Sequence, residues 1–261
     1  MSATAGGPFA ALARDPAGAG LFCDFDGTLA PIVDDPAAAR PLPGAAGVLA
    51  ELGGRLAVVA VVSGRPAAFL AEHLAEAGPA VHLAGLYGLE RVERGVVRLA
   101  PAVEPWIPVV ADLTAMARAE APDDVLVEGK GASVVLHWRT APHRQHWCLR
   151  QAAQWAQASG LVAQPGRMSV ELRPPVPADK GTTVAHLARG CRVVAFAGDD
   201  AGDLDAFDAL DRMAGPGTVV AVRVAVADTE SPPALVQRAD AVLGGPAELL
   251  QALQALAGEL G

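Results

Sequence analysis

Gly20-Leu21-Phe22-Cys23-Asp24-Phe25-Asp26-Gly27-Thr28-Leu29 is the stretch from which the fold can be read. A small, apolar run of strand length stops at two aspartates two positions apart, followed by a glycine and a threonine. Residues i and i+2 of a strand share a face, and a strand that ends at Asp24 can turn so that both carboxylates meet one pocket. Paired carboxylates at the carboxyl end of a buried strand suit a hard divalent cation such as Mg²⁺, which takes oxygen ligands. One of them can also attack phosphorus and form an aspartyl-phosphate. Gly27 would let the backbone approach a phosphate, and the Thr28 hydroxyl could donate to it. The same string also reads as a strand followed by an Asp-rich turn, because Asp and Gly favour turns. The rest of the chain decides between the two.

Outward from that stretch, continuous apolar runs recur at strand length. Leu56–Val62 ends in Ser63-Gly64-Arg65-Pro66, with a helix expected to about residue 77. Ala80–Ala84 ends in Gly85-Leu86-Tyr87-Gly88, and Val193–Ala197 ends in Gly198-Asp199-Asp200 with Asp203 three residues on. Shorter runs cover Val219–Val222 and Ala241–Leu243. Helices are expected over 43–53, over 182–189 behind Asp179-Lys180-Gly181, from Leu204, and over 247–256. Residues 1–19 read as a loose or partly helical lead-in, and Pro31–Pro36 as a loop. Uninterrupted apolar strands alternating with helices imply an α/β fold with a doubly wound parallel, Rossmann-like sheet. Such sheets bind ligands outside the carboxyl ends of their strands. Asp24 and Asp26, Ser63, and Asp199 with Asp200 all fall at such ends, and Lys180 would join them.

The segment from 105 to 172 has a different grain. A helix is expected over 106–120, a strand over Val125–Glu128, a turn at Gly129-Lys130-Gly131 and a helix over 142–158. Ser133–Arg139 alternates, with Val134, Leu136 and Trp138 on one face and Ser133, His137 and Arg139 on the other. Arg167–Leu172 alternates again. Period two predicts a sheet with one packed and one wet face, the wet one carrying Ser133, His137, Arg139, Arg167 and Glu171. The tryptophans, including Trp147 and Trp155, are expected in the core. The domain plan is therefore a core over 1–104 and 174–261, with an inserted α+β cap over 105–173.

Composition narrows the function. The net charge of −9 argues against a general nucleic-acid binder but leaves room for an anionic substrate held by a metal and local positive charge. Aromatic content is 4%, so the core must be mostly Ala, Val and Leu. Three cysteines, two within strand-like runs, point to a reducing cytoplasm. No signal peptide is expected and no stretch reaches membrane-spanning length. Lys130 and Lys180 are the chain's two lysines among 20 basic residues, so each marks a place where a compact ammonium could matter.

The four strings Asp24-Phe25-Asp26-Gly27-Thr28, Ser63-Gly64-Arg65, Lys180 and Gly198-Asp199-Asp200 resemble the motifs of the haloacid dehalogenase superfamily of aspartate-dependent phosphatases. The longer strings D-F-D-G-T-L-A-P-I-V-D-D-P, L-A-G-L-Y-G-L-E, E-G-K-G-A-S-V-V-L-H-W-R, R-M-S-V-E-L-R-P and F-A-G-D-D-A-G-D-L-D-A-F resemble the trehalose-6-phosphate phosphatase family. The resemblance spans nearly the whole chain beyond its first dozen residues.

The resemblance implies a Mg²⁺-dependent phosphoric monoester hydrolase that acts on a small-molecule sugar phosphate, trehalose 6-phosphate, at the last step of trehalose biosynthesis. It also implies functional coupling to a trehalose-phosphate synthase. Asp24 matches the nucleophile, Asp26 the acid/base, and Ser63 and Lys180 the phosphate ligands. Gly27, Thr28, Gly64 and Arg65 fall in the substrate-binding loops. Asp24, Asp199 and the Asp26 backbone carbonyl, with Asp200 or Asp203, match the metal set. Glu128, Lys130, Arg139, Arg167 and Glu171 match sugar-contacting positions in the cap. Two departures stand out. Tyr87 occupies a place where many relatives have histidine, and Leu204 replaces a carboxylate of the last motif. A phosphatase of the same fold for another sugar phosphate is the second reading; a non-catalytic sugar-binding module, against which Asp24 and Asp26 argue, is the third.

Overall fold

Strands buried on both faces must be covered by helices on both sides, and the right-handed crossover sets how those helices connect. The computed structural model describes residues 7–215, 217–227 and 231–261; of the expected lead-in, residues 1–6 lie outside the described residues. The chain divides into two compact units, Met1–Arg98 with Ala178–Gly261, and Leu99–Pro177.

The first unit opens with α1 (Ala10–Arg14), β1 (Ala19–Cys23), α2 (Ala45–Gly53), β2 (Val58–Val62), α3 (Ala67–His73), β3 (Val81–Gly85), β4 (Glu90–Glu93) and β5 (Val96–Leu99). The second contains α4 (Ile107–Glu120), β6 (Leu126–Gly129), β7 (Val134–His137), α5 (Gln145–Ser159), β8 (Val162–Gly166) and β9 (Ser169–Arg173). The chain then returns to the first unit with α6 (Lys180–Leu187), β10 (Val193–Gly198), α7 (Leu204–Ala214), β11 (Val220–Val226), α8 (Pro233–Arg238), β12 (Ala241–Leu243) and α9 (Pro246–Leu260).

The large sheet runs β12-β11-β10-β1-β2-β3-β4-β5. It is parallel from β12 through β3 and antiparallel between β3 and β4. From β1 the chain steps outward through β2 and β3, and from β10 outward the other way through β11 and β12. The strand order therefore reverses at β1 and β10, which is where a doubly wound sheet opens a crevice. Alternation along β1 divides the core. Leu21 and Cys23 pack with Leu12, Leu49, Leu52, Leu70, Leu249 and Leu253 from α1, α2, α3 and α9. Phe22 packs with Val184, Phe207, Leu210 and Leu235 from α6, α7 and α8. Each fully buried Leu or Phe side chain contributes about 1.5 to 3 kcal/mol.

The hairpin of β4 and β5 was not expected. Its turn places Arg94 (φ 53°) and Gly95 (φ 77°) in the left-handed region, as a two-residue primed turn requires. Arginine is not a usual turn residue there, and the flanking E-R-V-E and V-V-R-L strings carry too many charges to read as buried strand.

The second unit pairs β6-β7-β9-β8 in one antiparallel sheet. α4 and α5 supply Val110, Leu113, Cys148, Ala152 and Trp155 to one of its faces. The tryptophans pack there as expected; Trp147 and Trp155 meet edge to face at 6.1 Å. β8 was missed because Pro165 and Gly166 read as loop, whereas proline is tolerated on an edge strand.

Candidate active site

Asp24 follows β1, Ser63 follows β2 and Asp199 follows β10, three neighbouring strands of the sheet. The Asp24 N–H still donates to the Ala197 carbonyl at 2.9 Å, so its side chain is held by the sheet ladder. The chain then turns sharply, the Phe25 carbonyl accepting from the N–H groups of Leu29 and Ala30 at 2.9 Å. Gly27 sits at φ 73°, and a Cβ there would lie 2.1 Å from Asp199 Oδ2. The group that needs this glycine is therefore the Asp199 carboxylate. Thr28, expected to meet a phosphate, is fully buried and its hydroxyl donates to Asp199 Oδ1 at 3.4 Å.

Lys180 enters from the first turn of α6, behind the capping box of Asp179 and Thr182. Its Nζ lies 2.6 Å from Asp203 Oδ1, 3.0 Å from Asp24 Oδ1 and 4.0 Å from Asp200 Oδ1. Burial works against the ammonium charge, but the carboxylates of Asp203, Asp24 and Asp200 outweigh it and hold the lysine pKa well above its usual value. The carboxylates show the opposite strain. Burial pushes Asp24 well up, with Lys180 pulling it back. Burial and the charge of Asp24 push Asp199 up to about 9. Burial, opposed by Lys180, takes Asp203 to about 6. Cys23, one residue before Asp24, is pushed to about 12 by burial and that neighbouring charge, so it acts as a small hydrophobe.

Three buried carboxylates against one buried ammonium leave the cluster short of positive charge. Asp24, Asp199 and Asp203 each offer an oxygen, all within 4.8 Å of one another. The Lys180 ammonium is close to Asp24 Oδ1 without the alignment of a hydrogen bond, so that buried oxygen has no donor. An all-oxygen set with an orphaned carboxylate oxygen fits a hard divalent cation. The three do not contribute equally. Asp203 Oδ2 accepts from the N–H groups of Asp199 and Asp200 at 2.8 and 3.0 Å, and Oδ1 accepts from Lys180. Asp200 is half-exposed and accepts from the Gly202 N–H at 2.8 Å.

Asp26 points elsewhere. Arg65 grips its carboxylate through Nε and Nη2 at 2.7 and 2.6 Å. The same guanidinium donates to the Pro36 carbonyl at 2.6 Å and lies 4.6 Å over the Phe69 ring. Ser63 is buried, and its Oγ accepts from the Arg65 N–H at 3.2 Å, which leaves the hydroxyl proton to be donated to an anion.

In the second unit the register aligns Glu128, Val135, Glu171 and Gln164 in one row across the sheet. The expected wet face is wet only in part. Ser133, Val135, Glu171 and Arg173 on it are buried, while Glu128, His137 and Gln164 are half-buried, and the polar groups satisfy one another across strands. Ser133 Oγ donates to Glu171 Oε1 at 2.5 Å, with Lys130 Nζ at 3.8 Å from the same oxygen. His137 Nε2 lies 2.8 Å from Glu128 Oε2, and Arg173 donates to Gln164 at 2.8 Å. Arg139 and Arg167 fall in turns outside β7 and β9 and not on the strands, because the alternation is cut off by turns; Met168 takes φ 52° in the second of these. Arg173 was missed as a polar member of this face, although it stands two residues after Glu171 and so shares its side.

The fold is that of the haloacid dehalogenase-like hydrolases. A solved structure of that description from Bacteroides thetaiotaomicron superposes with TM-score 0.58 at 14% identity, covering 91% of this chain and 98% of that one. The match is better with the C-terminal domain of trehalose-6-phosphate phosphatase from C. albicans, at TM-score 0.75 and 22% identity over 94% of each chain. The trehalose-phosphatase family model matches residues 22–235, and the chain belongs to that family. The trehalose-phosphate phosphatase of Mycolicibacterium paratuberculosis is 37% identical over 222 residues, covering 80% of this chain and 54% of that protein. The chain thus spans about half the length of the curated relatives it matches.

Proposed function

We propose that this chain hydrolyses trehalose 6-phosphate to trehalose and inorganic phosphate, using Mg²⁺. The observation that carries the reading is the buried set of Asp24, Asp199, Asp203 and Lys180 at the strand-order reversal of a chain in the trehalose-phosphatase family. Asp24 acts as nucleophile: its Oδ bonds to phosphorus as the bond from phosphorus to the sugar oxygen breaks, and that oxygen takes a proton from Asp26, which must first leave the grip of Arg65 and turn toward the leaving group. Water then attacks phosphorus and returns a proton to Asp26, and the phosphorus–Oδ bond breaks to release phosphate. Lys180, Ser63 and the backbone around Gly64 hold the phosphoryl oxygens, where charge accumulates.

Asp24 and Asp199, with the Asp26 carbonyl, would hold the metal. Asp203, saturated by Lys180 and two N–H groups, orders the loop after β10 and places the lysine. Mg²⁺ supplies charge neutralisation at the transferring phosphoryl group. Glu128, Lys130, Arg139, Arg167 and Glu171 of the second unit read the sugar hydroxyls. Among the described residues no helix is long and apolar enough to cross a membrane. Cys23, Cys148 and Cys191 are buried free thiols, which suits a cytoplasmic enzyme; the family membership is what supports work beside a trehalose-phosphate synthase. The test is phosphate release from a panel of sugar phosphates with and without Mg²⁺. Trehalose 6-phosphate should lead the panel, and another sugar phosphate in first place would replace it as the substrate.

A further inference from the structure

The turn after β3 holds two consecutive non-glycine residues in the left-handed region, Leu86 (φ 47°) and Tyr87 (φ 60°, ψ 24°). Side chains disfavour this region because Cβ crowds the following carbonyl, and such outliers persist where their surroundings over-determine them. Glycine would make the same turn without the crowding. A tyrosine kept there suggests a use for the side chain beyond the turn itself.

The surroundings name that use. The Leu86 and Tyr87 N–H groups donate to the Arg65 and Ser63 carbonyls, both at 2.9 Å. The Tyr87 carbonyl accepts from Thr183 Oγ1 at 2.8 Å, and Thr183 stands three residues after Lys180 on α6. The phenol ring lies across Gly64: a Cβ on that glycine would come 2.8 Å from the Tyr87 hydroxyl oxygen and 2.9 Å from the ring carbon that bears it. Leu86 is buried and so anchors the turn. One strained residue therefore ties the Ser63 loop to the helix of Lys180, and its ring closes over the glycine between Ser63 and Arg65.

We propose that Tyr87 is a positioning residue for phosphate binding, a strut that sets the Ser63 hydroxyl against the Lys180 ammonium through its backbone and clamps Gly64 with its ring. The inference rests on the reading of Ser63 and Lys180 as phosphate ligands. The ring and the backbone geometry do the positioning; the hydroxyl proton is not required.

The experiment measures inorganic phosphate affinity by calorimetry with Mg²⁺ present, beside kcat, KM and melting temperature. The proteins are the wild type, Tyr87→Phe, Tyr87→Gly, Thr183→Val and the Tyr87→Gly/Thr183→Val pair. Glycine suits the left-handed backbone, so Tyr87→Gly should melt within a few degrees of wild type. It should nonetheless bind phosphate about tenfold more weakly and lose a similar factor in kcat/KM, as expected for small displacements of reacting groups. Tyr87→Phe should stay within about threefold on both. Thr183→Val should weaken phosphate in the same direction and add less than its own effect to Tyr87→Gly. Wild-type phosphate affinity in Tyr87→Gly would overturn the clamp by the ring, and wild-type affinity in Thr183→Val would overturn the strut through the backbone. Equal losses in Tyr87→Phe and Tyr87→Gly would also overturn the clamp, by moving the role to the hydroxyl. Phosphate affinity is read without turnover, so a wild type that binds phosphate yet hydrolyses no sugar phosphate would sink the functional reading alone.

Discussion

The two units both bury carboxylates, and they neutralise them in opposite ways. At the ends of β1 and β10, Asp24, Asp199 and Asp203 share the single ammonium of Lys180, and burial drives their pKa values upward. On the second unit's sheet each carboxylate has its own neighbours: Glu171 has Ser133 and Lys130, and Glu128 has His137. A cluster with surplus negative charge attracts a dication, and the dication together with Lys180 can then offset the charge of a phosphoryl group. A balanced one offers oriented hydrogen bonds to neutral hydroxyls with little long-range field. On the function proposed above, the difference teaches that charge surplus, more than burial, separates the place for phosphorus chemistry from the place for reading a sugar.

The hardest blow to that comparison would come from the nucleophile. Asp24→Asn should lower phosphate release from both trehalose 6-phosphate and a small aryl phosphate by about a thousandfold or more, since an amide cannot form the covalent intermediate. Comparable activity in clean mutant protein would break the division at its root.

Lys180→Ala should come next. It leaves buried carboxylates without their counter-charge and should destabilise the metal-free protein by about 3 to 5 kcal/mol, read from urea unfolding. Both substrates should suffer alike. An unchanged unfolding midpoint would mean that the cluster is not overcharged.

The third prediction concerns pH. Burial and the charge of Asp24 push Asp199 from an ordinary 3.8 up to about 9, so the folded state should hold a proton that the unfolded chain has lost. Stability contributed by such a group is complete below about pH 4 and lost as pH rises toward 9. Asp203 adds the same trend up to about 6. In chelator the melting temperature should therefore fall by several degrees across this range, and saturating Mg²⁺ should flatten the slope by replacing the protons and stabilising the folded state. A chelated protein with no such slope would contradict the raised carboxylates.

The smallest effect sharpens the other side. Glu171→Gln keeps the size of the side chain and an acceptor for Ser133 but removes the charge. It should weaken kcat/KM for trehalose 6-phosphate by roughly ten- to a hundredfold, about 1.5 to 3 kcal/mol, and spare the aryl phosphate. Equal losses on the two substrates would show that the second unit does not read the sugar.

Much of the fold is legible in the chain because short β-branched and apolar runs such as Val58–Val62 and Val193–Gly198, bounded by turn residues, read as strands buried on both faces. What escapes sequence reading escapes for local reasons. The β4–β5 hairpin hides behind an arginine at positive φ, and β8 hides behind a proline that an edge strand tolerates. Of the candidate site, the strand-end aspartates and Lys180 were legible from their positions. The grip of Arg65 on Asp26 was not, since 39 residues separate them and nothing in S-G-R says where its arginine turns. Nor was the burial of Ser133 and Glu171, which depends on hydrogen bonds between strands and not on alternation within one.

By itself, then, the sequence determined the order of most strands and helices, the two characters of the sheet segments, and the residue types that stand at the ends of the central strands. Only the tertiary structure decided which of those residues meet. Asp24, Asp199 and Asp203 converge, while Asp26 turns to Arg65 and Asp200 caps its own loop. Thr28 finds Asp199 across 171 residues of chain. The physical reason is that strand order brings distant segments side by side, and the direction of each side chain past the strand end is set by the turn's dihedrals and by the partners it meets there.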